Sequence, residues 1–206
     1  MAWYDFFANF YDRSLDGLYR DARAAALQAL APAPGQRVLD LPTGTGPSTE
    51  GLARAVGPTG RVIGVDLSRG MLRRATARAT RLRDDPALAP IELLHGDVHA
   101  LTPELTGGPV DALHIFLGMS TFPRPDDAFE RLWATLRPGG RCVVVDVFAA
   151  KLGFQGRMVN LVARADIRRR SWEPLERVAT DFTRTDLPSR RQHGGTLFLA
   201  VGVKPG

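Results

Sequence analysis

A short buried strand that runs into a glycine-containing turn is the feature that most limits what this chain can fold into. Residues 38–41 form an apolar run with Asp40 near its end, and Gly44 and Gly46 follow within the turn. Glycine lets a backbone approach a ligand closely, and Pro47 suits the first position of a helix, where no amide hydrogen is needed. A strand, a glycine turn and a helix in this order predict a ligand site with free backbone N–H groups.

Two further apolar runs also lead to an acidic residue. The run over residues 61–66 ends at Asp66, and the run over residues 91–95 is followed by Asp97. Ser68 is predicted to cap a helix that begins near Arg69. An acid at the end of the second strand is placed to accept both hydroxyls of a ribose. Asp97 could in turn accept a hydrogen bond from the exocyclic amine of an adenine.

The chemistry of the turn separates two nucleotide-type ligands. A dinucleotide turn reads G-x-G-x-x-G, whereas residues 44–49 lack the third glycine. Asp40 would repel a pyrophosphate but would attract an ammonium group. S-adenosylmethionine carries an ammonium and a sulfonium and no phosphate, so charge favours it as the cofactor. An NAD-dependent oxidoreductase and a non-catalytic cofactor-binding protein on the same fold stay open as alternatives.

The order of the predicted elements indicates an α/β fold. Strands are expected near residues 37–41, 61–66, 91–95, 110–117 and 141–147, with helical runs between them. This alternation predicts a parallel sheet with helices on both faces. Residues 181–184 and 196–203 read as two more strands. Their connection is too short for a crossover helix, so they are expected to pair antiparallel.

These motifs together resemble those of the class I S-adenosylmethionine-dependent methyltransferases. The resemblance is strongest to small bacterial enzymes that include quinone-biosynthesis C-methyltransferases and soluble phospholipid N-methyltransferases. It covers nearly the whole chain and is carried by residues 10–12, 40–46, 66, 96–98, 110–113, 125–129 and 136–141. It implies a Rossmann-like fold whose seven-stranded sheet is mostly parallel with an antiparallel last strand.

The resemblance also implies the site residues. The cofactor is expected to contact Tyr11, Asp40, Pro42, Thr43, Gly44, Thr45, Gly46, Asp66, Leu67, Met71, Asp97, Val98 and Leu117. The acceptor is expected above the ends of the first and fourth strands, against Phe6, Tyr11, Gly118, Met119 and Phe122. No catalytic residue and no metal ligand is predicted, because the sulfonium itself activates the methyl group and the protein mainly aligns the reactants.

The chain departs from the family pattern at two places. Pro42 stands where the family usually has its first glycine, which should alter the turn locally. Ser120 and Thr121 stand where the quinone C-methyltransferases typically carry an arginine–asparagine pair, which argues against a quinone acceptor. A small or lipid-like acceptor is therefore expected. A phospholipid head-group amine and a small natural product are the leading choices, and a quinone-type acceptor stays open as an alternative.

Four histidines are the candidate general bases, and each also has a structural interpretation. His95 and His99 flank the predicted adenine site, His114 lies inside the fourth strand, and His193 lies in the last turn. The aromatic amino-terminal segment similarly reads either as a lid over the cofactor or as part of the core. The predicted parts of the single domain 1–206 are a helical lid (1–34), a cofactor-binding core (35–150), a substrate-side helical insertion (151–180) and a terminal hairpin (181–206).

A basic segment over residues 151–177 is the remaining unusual feature. Met158, Leu161, Val162 and Ala165 have helical spacing there, and residues 168–170 are three arginines followed by Trp172. A basic helix with an apolar stripe can lie on an anionic membrane surface, and a net charge of +5 favours such surfaces. The alternative is a solvated arginine face. Nucleic acid is not expected as a partner, because aromatic and basic residues do not interleave.

Composition agrees with one domain in the cytoplasm, with peripheral membrane contact as an option. The 206 residues, 44% of them hydrophobic, suffice for one sizeable core. Cys142 lies in an apolar run and is expected to be a core residue. No apolar run approaches the roughly 20 residues of a membrane-spanning helix. The amino terminus is aromatic and acidic, unlike a signal peptide.

Overall fold

The computed structural model describes residues 17–188 and 194–206, and these form one seven-stranded sheet with flanking helices. The strands are β1 (Arg37–Asp40), β2 (Arg61–Asp66), β3 (Ile91–His95), β4 (Val110–Phe116), β5 (Leu136–Phe148), β6 (Thr180–Asp186) and β7 (Thr196–Val203). The helices are α1 (Arg20–Leu30), α2 (Thr49–Val56), α3 (Arg69–Leu82), α4 (Pro125–Thr135), α5 (Phe154–Ala163) and α6 (Glu173–Val178). A single 3₁₀ turn covers Val98–Ala100.

The strand order is β3-β2-β1-β4-β5-β7-β6, and the first five strands pair in parallel. Strand β7 runs antiparallel to both β5 and β6. The sequence prediction of a mostly parallel sheet closed by an antiparallel last strand is therefore confirmed. The chain order reverses between β1 and β4, and this is the point where open α/β sheets bind ligands.

Apolar side chains cover both faces of the sheet. On one face, α1 presents Ala22, Ala26 and Leu30 at four-residue spacing to the sheet, where they join the buried core. On the other face, α4 contributes Phe129 and Leu132 to the second core cluster. A sheet buried on both sides explains why its central strands are apolar without alternation.

Two local predictions were wrong. Pro47 does not open a helix, because α2 begins at Thr49 after Ser48 as its N-cap. The basic segment is not one helix either, since α5 and α6 are separated by a loop that carries the three arginines. Ser68 does cap α3 as predicted, accepting a hydrogen bond from the backbone N–H of Met71.

Several other predictions can be placed on the fold. Cys142 is fully buried in β5, and burial raises the pKa of its thiol. Within residues 17–188 and 194–206, no helix is long and apolar enough to cross a membrane. The predicted aromatic lid residues, Phe6 and Tyr11 among them, and His193 lie outside the described residues.

Candidate active site

One cavity of about 540 Å³ opens above the carboxyl ends of β1, β2, β4 and β5. Its volume falls within the range of roughly 300–1,000 Å³ that small-molecule sites occupy. One side is formed by the turn after β1, the end of β2 and the residues after β3. The other side is formed by the loop after β4, the end of β5 and the inner face of α5. The cavity therefore lies at the predicted switch point of the sheet.

Asp66 at the end of β2 ties the glycine turn to the start of α3. One carboxylate oxygen accepts a hydrogen bond from the backbone N–H of Gly44 and the other from that of Ser68, both at 2.8 Å. Burial raises the pKa of Asp66, and these two backbone N–H groups partly offset that effect. Each carboxylate oxygen accepts more than one hydrogen bond, so Asp66 retains capacity for the hydroxyl groups of a ligand.

Asp40 at the end of β1 forms a buried pair with His114 of β4. One Asp40 oxygen lies 2.7 Å from Nδ1 of His114, and the other accepts a hydrogen bond of 2.7 Å from the hydroxyl of Thr43. The two strands are neighbours, with Asp40 and His114 in register. His114 thus has a buried polar partner within the sheet, in keeping with its structural interpretation. Asp40 thus organises the turn internally while also lining the cavity.

The turn after β1 combines open space for a ligand with tight packing. The backbone N–H of Thr43 bonds to Val65 of β2, which holds the turn against the sheet. Gly44 has a positive φ of 57°, and a side chain there would meet nothing within 4 Å. Gly46 also has a positive φ but packs against Ala75 of α3 instead of facing the cavity. Gly44 therefore leaves room for a ligand to approach the backbone closely, as the sequence predicted.

The departure at Pro42 is accommodated by a glycine on the neighbouring loop. The Leu41–Pro42 peptide is cis, and the Pro42 ring packs directly on Gly118 after β4. A β-carbon at Gly118 would clash with Cδ of Pro42 and would stand 2.9 Å from Cζ of Phe122. Pro42 and Gly118 therefore pack as a pair. Their contact connects the turn after β1 with the loop after β4.

A partly apolar surface lies beyond Asp66. Leu67 is 49% exposed at the cavity wall, while Met71 and Val98 are buried beside the cavity. Asp97 lines the same region and accepts a hydrogen bond from the backbone N–H of His99. Apolar side chains with one carboxylate at the edge suit a flat heteroaromatic ring that carries an amine.

A fourth acid, Asp146 near the end of β5, lies on the opposite side of the cavity. It accepts hydrogen bonds of 2.8 Å from the backbone N–H and the hydroxyl of Ser120 and from the backbone N–H of Val147. Complete burial raises the pKa of Asp146 to about 6. This carboxylate is thus a stronger base than an ordinary aspartate, with the Ser120 hydroxyl directly on it. Both residues line the cavity.

The remaining wall on this side is mainly apolar. Leu117 holds a positive φ of 54°, an uncommon conformation for a residue with a branched side chain. The apolar lining residues are Phe116, Leu117, Phe122, Pro123, Val147, Val159, Val162, Ala163, Ala165 and Ile167. Arg164, the residue after α5, lies at the same wall.

The structure brings most of the predicted site residues together. Those lining the cavity are Asp40, Pro42, Thr43, Gly44, Thr45, Asp66, Leu67, Met71, Asp97, Val98, Leu117 and Phe122. Of the predicted contacts that the structure describes, three do not line it. Gly46 packs on α3, Gly118 lies under Pro42, and Met119 is fully buried in the core. A residue directly after a strand end can point into the sheet as easily as toward the ligand.

Sequence reasoning missed Asp146 and Ser120 as partners. Asp146 is preceded by four apolar residues of β5, so the acid at its end was a usable signal of the same kind as Asp66. The prediction that the described histidines play structural roles fits their positions. His95 bonds to the carbonyl of Leu67 through Nε2, and neither it nor His99 or His114 lines the cavity.

Comparison with known proteins identifies the family. A family model described as a methyltransferase domain matches residues 38–140, half of the chain. The chain belongs to this family. Its sheet order, its acid-ended strands and its cavity are those of the class I S-adenosylmethionine-dependent methyltransferases, whose cofactor is S-adenosylmethionine. The family prediction made from the sequence is confirmed.

One curated relative supports the family assignment by sequence. A demethylmenaquinone methyltransferase of Lactococcus lactis is 36% identical over 124 residues, which are 60% of this chain and 47% of that protein. The chain spans about half the length of the curated methyltransferases it matches. The acceptor of that relative is therefore not assigned to this chain.

Solved structures support the fold. Phosphoethanolamine N-methyltransferase 2 of Haemonchus contortus, in complex with S-adenosyl-L-methionine, is 17% identical, with a TM-score of 0.71 over 97% of this chain and 60% of that one. Geranyl diphosphate C-methyltransferase of Streptomyces coelicolor is 18% identical, with a TM-score of 0.72 over 90% of this chain and 76% of that one. At such identities the likeness shows the architecture alone.

Proposed function

We propose that this methyltransferase transfers the methyl group of S-adenosylmethionine to a small or lipid-like acceptor. The observation that carries the proposal is one continuous cavity with two chemically different sides. The side at β1 and β2 has Asp40 and Asp66 at its strand ends, and the side at β4 and β5 is apolar around Ser120 and Asp146. A methyl donor and a methyl acceptor can therefore meet inside the same cavity.

The side of the cavity at β1 and β2 fits the cofactor, because it carries negative charge and has open space beside the turn. Asp66 retains hydrogen-bonding capacity for ribose hydroxyls, and Leu67, Met71 and Val98 offer an apolar surface to the adenine. Gly44 leaves free volume beside the turn, where the amino-acid end would lie. When bound, the cofactor supplies an activated methyl group on its sulfonium. A cationic ligand without phosphate is the one that two nearby carboxylates favour.

The second side favours an acceptor with an apolar body and a polar reactive atom. The hydroxyl of Ser120 donates to Asp146, so its oxygen can accept a hydrogen bond from an amine or hydroxyl. A nucleophile's lone pair forms the new bond to the methyl carbon as the carbon–sulfur bond breaks. Its proton can pass through Ser120 to Asp146, whose pKa of about 6 lets it serve near neutral pH. A head-group amine of a phospholipid meets these requirements.

A quinone-type acceptor is the second candidate. It is favoured by the sequence similarity to a demethylmenaquinone methyltransferase, and a quinone ring with an apolar tail would suit the apolar wall. Ser120 and Thr121 replace the arginine–asparagine pair expected in that group, which is why the amine acceptor comes first. A small natural product lacking a tail would use the same wall without any lipid.

Calorimetry with S-adenosylhomocysteine, the demethylated cofactor, and with NADH tests the donor. We expect S-adenosylhomocysteine alone to bind, and binding of NADH alone would overturn the methyltransferase assignment. Transfer of labelled methyl is then measured on vesicles of phosphatidylethanolamine, on demethylmenaquinone and on a panel of small amines and phenols. Transfer to the phospholipid supports the leading proposal, and transfer to another acceptor alone overturns it in favour of that class. Binding of the cofactor product with no transfer in any arm contradicts an enzymatic role.

A further inference from the structure

The outer face of α5 is apolar and exposed, while its inner face forms part of the cavity wall. Phe154 is 80% exposed, Met158 42% and Leu161 69%. Residues at spacings of four and three lie on one side of a helix, so the three side chains form one stripe about 10 Å long. Val159 and Val162 of the same helix line the cavity. Helix α5 alone therefore stands between an exposed apolar surface and the side of the cavity near β4 and β5.

This stripe is unusual among the described residues. Three of their six exposed large apolar side chains lie on this one ten-residue helix, whereas Leu67, Leu105 and Val178 are scattered. Single exposed apolar residues are ordinary, but a contiguous group marks an interaction surface. We call Phe154, Met158 and Leu161 the α5 stripe.

Cations flank the α5 stripe without neutralising partners. Lys151 and Arg157 are exposed, and the exposed Arg164 stands where the outer surface meets the cavity wall. Within residues 17–188 and 194–206, none of the three forms an ion pair. The helix itself contains no acidic residue. A surface that pairs apolar side chains with unpaired positive charges complements an anionic lipid bilayer, whose head groups accept the charges while the acyl boundary accepts the stripe.

The basic groups expected from the sequence to contact a membrane are engaged elsewhere. Arg168 and Arg169 pair with Asp166, and Arg170 pairs with Glu173. Trp172 is buried and packs edge-on against aromatic rings 5.0 Å away, so it cannot anchor to an interface. The charge complementarity therefore rests on the residues around α5 and not on the arginine run.

We propose that the α5 stripe and its flanking cations dock on an anionic membrane surface, which sets the acceptor side of the cavity next to the bilayer. This deepens the proposed function, on which it rests for its substrate class: an acceptor resident in a lipid bilayer. The reactive head group would then enter the cavity while its tails stay in the membrane.

Co-sedimentation with phosphatidylcholine vesicles, with and without phosphatidylglycerol, tests the docking. We expect binding to the anionic vesicles, weakened by salt, and little binding to the neutral ones. The double variant F154S/L161S should lower the partition coefficient about tenfold, because two apolar anchors are lost. L105S, which removes another exposed leucine that lies outside α5, should bind like the parent protein. Lys151→Ala with Arg157→Ala should also weaken binding, and Arg73→Ala on α3 should not.

Each other outcome overturns the docking proposal. Absence of binding to anionic vesicles does so directly, as does binding that F154S/L161S leaves unchanged. Sedimentation velocity without lipid detects another occupant: a dimer that F154S/L161S dissociates would assign the α5 stripe to a second copy of the chain. Calorimetric binding of S-adenosylhomocysteine by every variant confirms that each is folded. If the parent protein does not bind S-adenosylhomocysteine, the proposed function is contradicted, whereas the vesicle experiment still reports on docking by itself.

Discussion

The carboxylate of Asp66 accepts the backbone N–H of Gly44 at 2.8 Å, so the end of the second strand fixes the turn after the first. The same carboxylate also accepts the N–H of Ser68. One side chain therefore positions two of the loops that surround the cofactor side of the cavity. Its removal should disturb both loops together.

Replacement of Asp66 by alanine should weaken binding of S-adenosylhomocysteine by about 1–3 kcal/mol, because hydrogen bonds to a charged group are lost. Isothermal titration calorimetry measures the change. Asp84→Ala, at an exposed position in the turn after α3, is the matched control and should bind like the parent protein. An unchanged affinity in Asp66→Ala would show that the ribose lies elsewhere.

The strand ends were predictable because a few consecutive residues mark each of them. An apolar run that stops at an acid identifies Asp40 and Asp66 without knowledge of any distant contact. The buried partners of these acids were harder to predict, since Asp40 and His114 are 74 residues apart and meet only through parallel pairing of β1 with β4. Ser120, in the loop after β4, likewise meets Asp146 of the neighbouring strand β5. Such contacts depend on sheet order and register, which the sequence states only indirectly.

The face of α5 that meets solvent could not be assigned from spacing alone. Met158, Leu161 and Val162 all have helical spacing, yet only Val162 points to the cavity. An apolar helix face predicts burial, and here tertiary packing selects a different face for the interior. On the buried side of α5, a β-carbon at Gly156 would stand 3.0 Å from the carbonyl oxygen of Gly194, so the helix backbone packs closely there.

Replacement of His114 by alanine should lower the free energy of unfolding by about 1–3 kcal/mol, because the buried Asp40 carboxylate loses one of its two side-chain partners. Urea denaturation measures the loss. In a double-mutant cycle with Asp40→Ala the two effects should be strongly non-additive. Additive effects would mean that the pair contributes no coupling to stability. His95→Ala, at an exposed strand end, serves as the control.

Replacement of Gly118 by alanine should lower stability by about 1–3 kcal/mol, the usual cost of overpacking a filled site. The new β-carbon would meet the Pro42 ring, which cannot move without moving the turn after β1. Affinity for S-adenosylhomocysteine should fall as well. Thermal unfolding and calorimetry report the two effects. Gly17→Ala, where no atom lies within 4 Å of the added carbon, should change neither, and a neutral Gly118→Ala would contradict the packing of Pro42 on Gly118.

Replacement of Asp146 by asparagine should change how stability depends on pH. The pKa of Asp146 is about 6 in the folded protein, against about 3.9 in an unfolded chain. The folded state therefore holds a proton that the unfolded state has released between these values. The stability that this proton contributes is fully present below about pH 4, falls as pH rises to about 6, and is absent above it.

Urea denaturation from pH 4 to pH 7 measures this difference. The free energy of unfolding of the parent protein, minus that of Asp146→Asn, should decrease by about 2–3 kcal/mol between pH 4 and pH 6 and then stay level. Asp84→Asn, which changes an exposed carboxyl, should follow the parent protein throughout. A difference that is flat over this range would mean that Asp146 titrates like a solvated carboxyl. Its role as the proton acceptor beside Ser120 would then be lost, because an ordinary aspartate is too weak a base near neutral pH.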